Sequence, residues 1–145
     1  MKVRECMSRD VAVGHPRQTI AEAARMMAEK DAGSLPVGDN DRLVGVITDR
    51  DIAIRAVAKG LGADTPVSTV MSKEVLYCFD DEELEDVAQN MGEQKVRRLP
   101  VVNRDKRLVG IISLADIATS AGRATTADAV ANISLPGGKH DQAAH

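Results

Sequence analysis

Two short stretches set a hydroxyl and a carboxylate at the same interval. One is Thr48-Asp49-Arg50-Asp51 and the other is Ser113-Leu114-Ala115-Asp116. Each follows an apolar run that contains a glycine, Gly45-Val46-Ile47 and Gly110-Ile111-Ile112, and each leads into a helical pattern. The spacing admits two chemistries. A Thr or Ser at a strand-to-helix junction with an acid three residues later is a helix cap. The same groups also make a cradle without a catalytic member. Free amides at a helix start receive an anion. An aspartate accepts hydrogen bonds from the adjacent hydroxyls of a ribose, and the Thr or Ser hydroxyl bonds sugar or phosphate. Gly45 and Gly110 would let a backbone come close. Both readings stand on spacing alone.

Other reactive residue types form no catalytic set. No Gly-x-Gly-x-x-Gly and no phosphate-loop lysine motif occurs. His15 sits beside Pro16 with no nucleophile in view, and reads as a surface turn residue. His140 and His145 lie in the tail and argue no metal site. The densest acid cluster, Asp80 to Glu83 with Glu85 and Asp86, falls at an expected helix start, where acids favour the dipole. Cys6 and Cys78 are far apart and read as free thiols in a reducing compartment. An enzyme is therefore not expected.

The elements around the two junctions come as a repeat. Met7-Ser8 recurs as Met71-Ser72, and Leu35-Pro36-Val37 as Leu99-Pro100-Val101. Leu43-Val44-Gly45 recurs as Leu108-Val109-Gly110, and Asp51-Ile52-Ala53 as Asp116-Ile117-Ala118. A unit of about 60 residues is marginal alone, so two would fold together. In the first copy, Val11 to Val13 is an expected strand. Thr19 to Glu22 is a capping box, and Gly33 is the expected residue after the helix end. Ser34 to Val37 and Leu43 to Ile47 are strands, and a helix runs from Asp49 to Gly60. The second copy repeats this order through Val75–Cys78, Glu82–Gln94, Leu99–Val102, Leu108–Ile112 and Leu114–Ala121. A short helix with Pro66 near its first position precedes the second copy and matches Lys2 to Met7. Arg104, Lys106 and Arg107 fall in a hairpin turn and read as solvated. From Arg123 the periodicity is weak, and disorder is expected beyond about Ser134. The expected division is 1–62, 63–122 and a partly disordered tail, 123–145.

Composition narrows the partners. The 145 residues carry a net charge of −3, with 43% hydrophobic and 28% charged residues. That is a globular balance with no overall nucleic-acid footprint. Tyr77 and Phe79 are the only aromatics, which argues against a base-stacking strand binder. No apolar run is long enough to span a membrane and no secretory leader is read, so a cytoplasmic location is expected.

Taken twice and in order, Met-Ser, Leu-Pro-Val, Leu-Val-Gly with its closing Thr or Ser, and Asp-Ile resemble a tandem pair of cystathionine β-synthase-type (CBS) domains. Such a pair is also called a Bateman module, here of the stand-alone bacterial type. The resemblance spans residues 3 to 121. It implies an α/β (α+β) fold of two β-α-β-β-α units related by a pseudo-twofold axis and packed sheet to sheet. It implies clefts that bind AMP, ADP or ATP, with NAD or S-adenosylmethionine ranked behind them. The positions matching the family's ribose-holding aspartate are Asp51 and Asp116. Thr48 and Ser113 match its hydroxyl residue, and Arg97 and Arg98 its phosphate-facing basic residues. Arg50 in the first copy is matched by Ala115, and Arg97-Arg98 by Gly33-Ser34. Asp116 with Arg98 is the better-supplied site by this comparison. The base would lie near Val11–Val13 or Val75–Tyr77. The implied output is a homodimer or an unidentified regulated protein. The competing expectation is a ligand-free interaction or dimerisation scaffold, in which the junctions are caps only.

Overall fold

The computed structural model describes residues 1–120 and 123–134. The chain divides into two compact units, and neither is a continuous stretch of sequence. One contains Ala12–Val75 with Lys106–Leu108. The other joins Met1–Val11 to Leu76–Asp105 and to the chain from Val109 onward.

The unit of the first repeat begins with α1 (Ile20–Lys30). The Thr19 hydroxyl accepts the Glu22 N–H at 3.2 Å and donates to the Glu22 carboxylate at 3.0 Å. Ile20, Ala23 and Met27 form the buried stripe. The helix closes at Asp31, in the left-handed region (φ 49°, ψ 48°), two residues before the expected Gly33. Strands β1 (Ser34–Asp39) and β2 (Arg42–Thr48) pair antiparallel, with a register shift between Val37 and Gly38. A wide π-type helix over Asp51–Ala56 and a 3-10 turn over Val57–Lys59 follow. Gly60 ends them at φ 77°, where a side chain would be strained. Helix α2 (Val67–Val70) carries Pro66 at its N-cap, one position earlier than expected. Leu35, Val37, Ile47, Val67 and Val70 lie in the core of this unit. The expected strand over Val11–Val13 does not form. Only Gly14 bridges to Val37, because Pro16 and the turn after it leave no room for a ladder.

The unit of the second repeat holds β3 (Cys78–Phe79), α3 (Leu84–Gln94), β4 (Arg98–Val102), β5 (Leu108–Ser113), α4 (Leu114–Ser120) and α5 (Arg123–Ser134). Its sheet order is β3-β4-β5, and β3 is parallel to β4. Strand β3 is shorter than Val75–Cys78 suggested and begins only at Cys78. Helix α5 lies where weak periodicity had suggested only a tail. It packs on α3 and α4, and it closes so tightly on Gly92 that a Cβ there would stand 3.3 Å from the Ala129 Cα. The expected disorder beyond Ser134 lies outside the described residues. Val3, Leu84, Val87, Met91, Val101, Ile112 and Ile117 are fully buried.

The repeated Met-Ser pair explains how each unit is built from two pieces of chain. Ser8 and Ile111 exchange two backbone hydrogen bonds, each of 2.9 Å. Ser72 and Val46 do the same at 2.9 and 3.0 Å. Each Met-Ser segment therefore closes the sheet of the repeat that does not follow it in sequence. The 3-10 turn Val3–Glu5, expected to belong with the first repeat, packs into the unit of the second.

Candidate functional site

At both junctions the hydroxyl and the carboxylate meet. The Thr48 N–H donates to Asp51 Oδ2 at 2.9 Å, and the Asp51 N–H donates to Thr48 Oγ1 at 3.0 Å. The Ser113 N–H and Ser113 Oγ donate to Asp116 Oδ2 at 2.9 and 3.0 Å, and the Asp116 N–H donates back to Oγ at 3.3 Å. Both are reciprocal caps, and each satisfies two amides that a helix start leaves open. The helices are thereby fixed at the ends of β2 and β5, with both carboxylates half-buried.

The second oxygens differ. Asp51 Oδ1 faces the Arg55 guanidinium at 3.8 Å. Asp116 Oδ1 has no partner among the described residues. It remains a charged acceptor with open lone pairs.

The basic residues also distribute unequally. The Leu114 N–H donates to the Arg97 carbonyl at 3.0 Å, which brings the start of β4 against the second junction. Arg97 and Arg98 are exposed there. In the first unit the same bond runs from the Asp49 N–H to the Gly33 carbonyl at 2.9 Å. Gly33 and Ser34 bring no charge, and Asp49 fills the space. Its Oδ2 would stand 3.1 Å from a Cβ on Gly33. Arg50 is half-buried, and its N–H donates to Asp49 Oδ1 at 2.8 Å.

Gly45 and Gly110 have a use other than the expected approach to a ligand. A Cβ on Gly45 would meet Met71 Sδ at 2.7 Å and the Ser72 carbonyl at 2.8 Å. One on Gly110 would meet both Met7 Sδ and the Ser8 carbonyl at 2.7 Å. The crossing Met-Ser segments occupy the space that these glycines leave. The same crossing brings Cys6 near Asp116, a neighbour that sequence spacing did not show. Burial raises the Cys6 thiol first, and the Asp116 carboxylate raises it further. Burial pushes Cys78 up to about 12. Both are poor thiolates, with Cys78 buried and Cys6 part-buried.

Several residues read as solvated prove to be engaged. Arg104 makes a bidentate pair with Asp81 at 2.8 and 2.7 Å and lies 4.0 Å above the Phe79 ring. Tyr77 meets Phe79 edge to face at 5.7 Å. The Arg107 guanidinium donates to the Asn40 carbonyl at 2.6 Å. Within the acid cluster, Glu82 accepts the Phe79 N–H and Glu83 binds Lys2. His15 accepts the Arg17 N–H at 3.1 Å and lies 3.6 Å from Asp39, holding a turn. Among the described residues no group of three or more His, Cys, Asp or Glu could hold a metal. No described helix is long and apolar enough to cross a membrane.

The fold agrees with that of the chain's relatives. Residues 3–57 and 67–122 each match the CBS domain. The CBS domain-containing protein YhcV of Bacillus subtilis is 43% identical over 130 residues, covering 86% of this chain and 92% of that protein. The crystal structure of hypoxic response protein I with two coordinated zinc ions is 37% identical. It superposes with a TM-score of 0.74 over 83% of this chain and 98% of that one. CBS domain protein PAE2072 from Pyrobaculum aerophilum, complexed with AMP, is 26% identical. Its TM-score is 0.74 over 90% of this chain and 99% of its own.

Proposed function

Because the chain belongs to the CBS-domain family and carries the domain twice, we propose that it is a regulatory module binding an adenosine-containing nucleotide of the AMP, ADP or ATP class. It performs no reaction on that ligand. The observation that carries this reading is Asp116. One of its oxygens is committed to the helix cap, and the other has no hydrogen-bond partner among the described residues. An acceptor held in that way suits the paired hydroxyls of a ribose, and the AMP complex of PAE2072 fits the same ligand class. Ser113 positions the carboxylate and offers a hydroxyl to sugar or phosphate. Arg98, with Arg97 beside it, supplies the phosphate contact. Thr48, Asp51 and Arg50 form the poorer site, because Asp49 puts negative charge beside Gly33, the position that Arg97 holds in the other repeat. NAD and S-adenosylmethionine rank behind the mononucleotides.

The ligand acts by binding one conformation better than another. The output passes through a homodimer or to a regulated protein in the cytoplasm. A second reading draws on the same caps. Since each hydroxyl–acid pair is satisfied as a cap, the chain could be an interaction scaffold that takes no ligand.

A thermal-melt panel separates the two. AMP, ADP, ATP, NAD and S-adenosylmethionine are each added at about 1 mM. A ligand at about 100 times its Kd adds about 2.7 kcal/mol. The expected result is a rise of several degrees with one mononucleotide, absent in Asp116→Ala. The ligand-induced increment is the readout, because loss of the cap lowers the melting point of that variant by itself. A flat panel rejects the nucleotide reading, and a shift that survives Asp116→Ala removes Asp116 from the site.

A further inference from the structure

The two junctions match through their caps and part company one helical turn later. Four residues after Asp51 the first repeat carries Arg55, and four residues after Asp116 the second carries Ser120. Arg55 Nη1 lies 3.8 Å from Asp51 Oδ1 and donates to the Met71 carbonyl at 3.5 Å. It reaches from the carboxylate to the crossing segment that closes the same sheet. The Asp51 side chain is only 17% exposed, so the pair is screened less than one in open solvent. The helix beneath it is the π-type turn over Asp51–Ala56, whereas α4 is a regular helix. A widened turn stacks residue i+4 more nearly over residue i, and such turns are frequent at functional positions.

The second junction has no cation at that place. Ser120 is neutral and partly buried, and its hydroxyl meets the Cys6 thiol on the segment that crosses there. Asp116 Oδ2 serves the cap, and Oδ1 stays open. At Asp51 one oxygen receives the Thr48 amide and the other faces a guanidinium.

We infer that Arg55 is a built-in occupant of the first junction and keeps nucleotide out of it, so that the chain takes one nucleotide, at Asp116. The inference rests on the nucleotide reading and adds the number of ligands and its cause. Paired ribose hydroxyls need an open acceptor on the aspartate. A contact with a cation is stronger than one with a neutral hydroxyl, so Arg55 holds the oxygen that the ribose needs. The residue that decides which repeat binds lies outside the cap, at the position where Arg55 and Ser120 differ.

Isothermal titration calorimetry with AMP, ADP and ATP in turn tests it. The parent is expected to bind one nucleotide per chain. Ser120→Arg sets the same cation over Asp116 and is expected to weaken binding about tenfold or more. Ser120→Gln, long but neutral, is expected to keep the site, which separates charge from bulk. Asp49→Leu gives the first junction the residue that the second has at Leu114, and the count is expected to stay at one. Asp49→Leu with Arg55→Ser is expected to raise it to two. Circular dichroism checks that each variant is folded, and if Ser120→Arg unfolds, the Arg55 arm decides alone. Two nucleotides on the parent overturn the inference and leave the nucleotide reading standing. So does a Ser120→Arg chain that binds as tightly as the parent, as it would if an arginine there served phosphate. An equal loss with Ser120→Gln, a count of two with Asp49→Leu alone, or a double variant that stays at one has the same consequence. No binding by any of these chains overturns both.

Discussion

Gly110→Ala is the most exacting test of how the second unit is assembled. Gly110 does not have a positive φ, so alanine meets no backbone strain. Absent other contacts, the substitution would stabilise the protein by about 0.4–1 kcal/mol through the unfolded state. The new Cβ, however, would lie 2.7 Å from Met7 Sδ and 2.7 Å from the Ser8 carbonyl oxygen. The methionine can rotate away. The carbonyl cannot move freely, since it accepts the Ile111 N–H at 2.9 Å while Ser8 donates back at 2.9 Å. Relief to an ordinary contact needs a retreat of roughly 0.7 Å, which stretches both bonds past useful length. Two backbone bonds at about 1 kcal/mol each, with some overpacking, give a loss of about 2–3 kcal/mol. Urea denaturation monitored by circular dichroism measures it. Gly14→Ala is the control: its nearest contacts are 3.5–3.7 Å, so it should stay within about 0.5 kcal/mol of the parent. Adding Met7→Ala to Gly110→Ala should rescue little, because the obstacle is the Ser8 backbone. A neutral Gly110→Ala, or full rescue by Met7→Ala, would refute the reasoning.

Thr48→Ala and Ser113→Ala each remove a hydroxyl cap and should cost about 1 kcal/mol in the same urea assay. Cys78 should resist a thiol reagent at pH 8 in the native protein and react once urea unfolds it, which mass spectrometry reads directly. Its thiol is raised from 9.0 to about 12 on folding, so the folded state holds the proton more tightly. That contribution to stability is complete below pH 9 and declines as pH climbs from 9 toward 12. Alkaline melts of Cys78→Ala should therefore fall less steeply over that range than those of the parent. Gly92→Leu should push α5 off α3, since a Cβ there already meets Ala129 Cα at 3.3 Å, and limited proteolysis should then cut within α5 faster than in the parent.

Much of this architecture was visible in the residues. Helix α1, strands β1, β2, β4 and β5, and both caps could be read because each rests on local rules: a 3.6-residue stripe, an apolar run, a hydroxyl three residues before an acid. What local rules missed is what depends on distant chain. Val11–Val13 is apolar enough for a strand, yet only Gly14 finds a bridging partner, Val37. Asp31 closes α1 ahead of Gly33, because the left-handed residue is set by where β1 must begin. Helix α5 showed no stripe because its apolar residues surround it, and a one-sided periodicity does not describe such a helix. Arg104 read as solvated because its partners, Asp81 and Phe79, lie more than 20 positions away.

The recurrence of Met-Ser shows most clearly what a duplication does and does not preserve. In sequence it precedes each repeat, and so it seems to open the unit that follows. In the fold it closes the other one, and Gly45 and Gly110 are glycines because a crossing segment lies against them. Neither repeat can therefore complete its sheet from its own residues, which fits a unit too short to be stable alone. Exchange keeps the repeats alike at their cores while their junctions diverge. Arg97-Arg98 against Gly33-Ser34, Leu114 against Asp49, and Gly92 against Ala28 all lie on exchanged scaffolds of the same design. The differences fall on the junction surfaces and on the helix face that α5 covers in one repeat and leaves open in the other. A chain built in this way can vary one junction or one helix face without altering the glycines and methionines that hold both sheets closed.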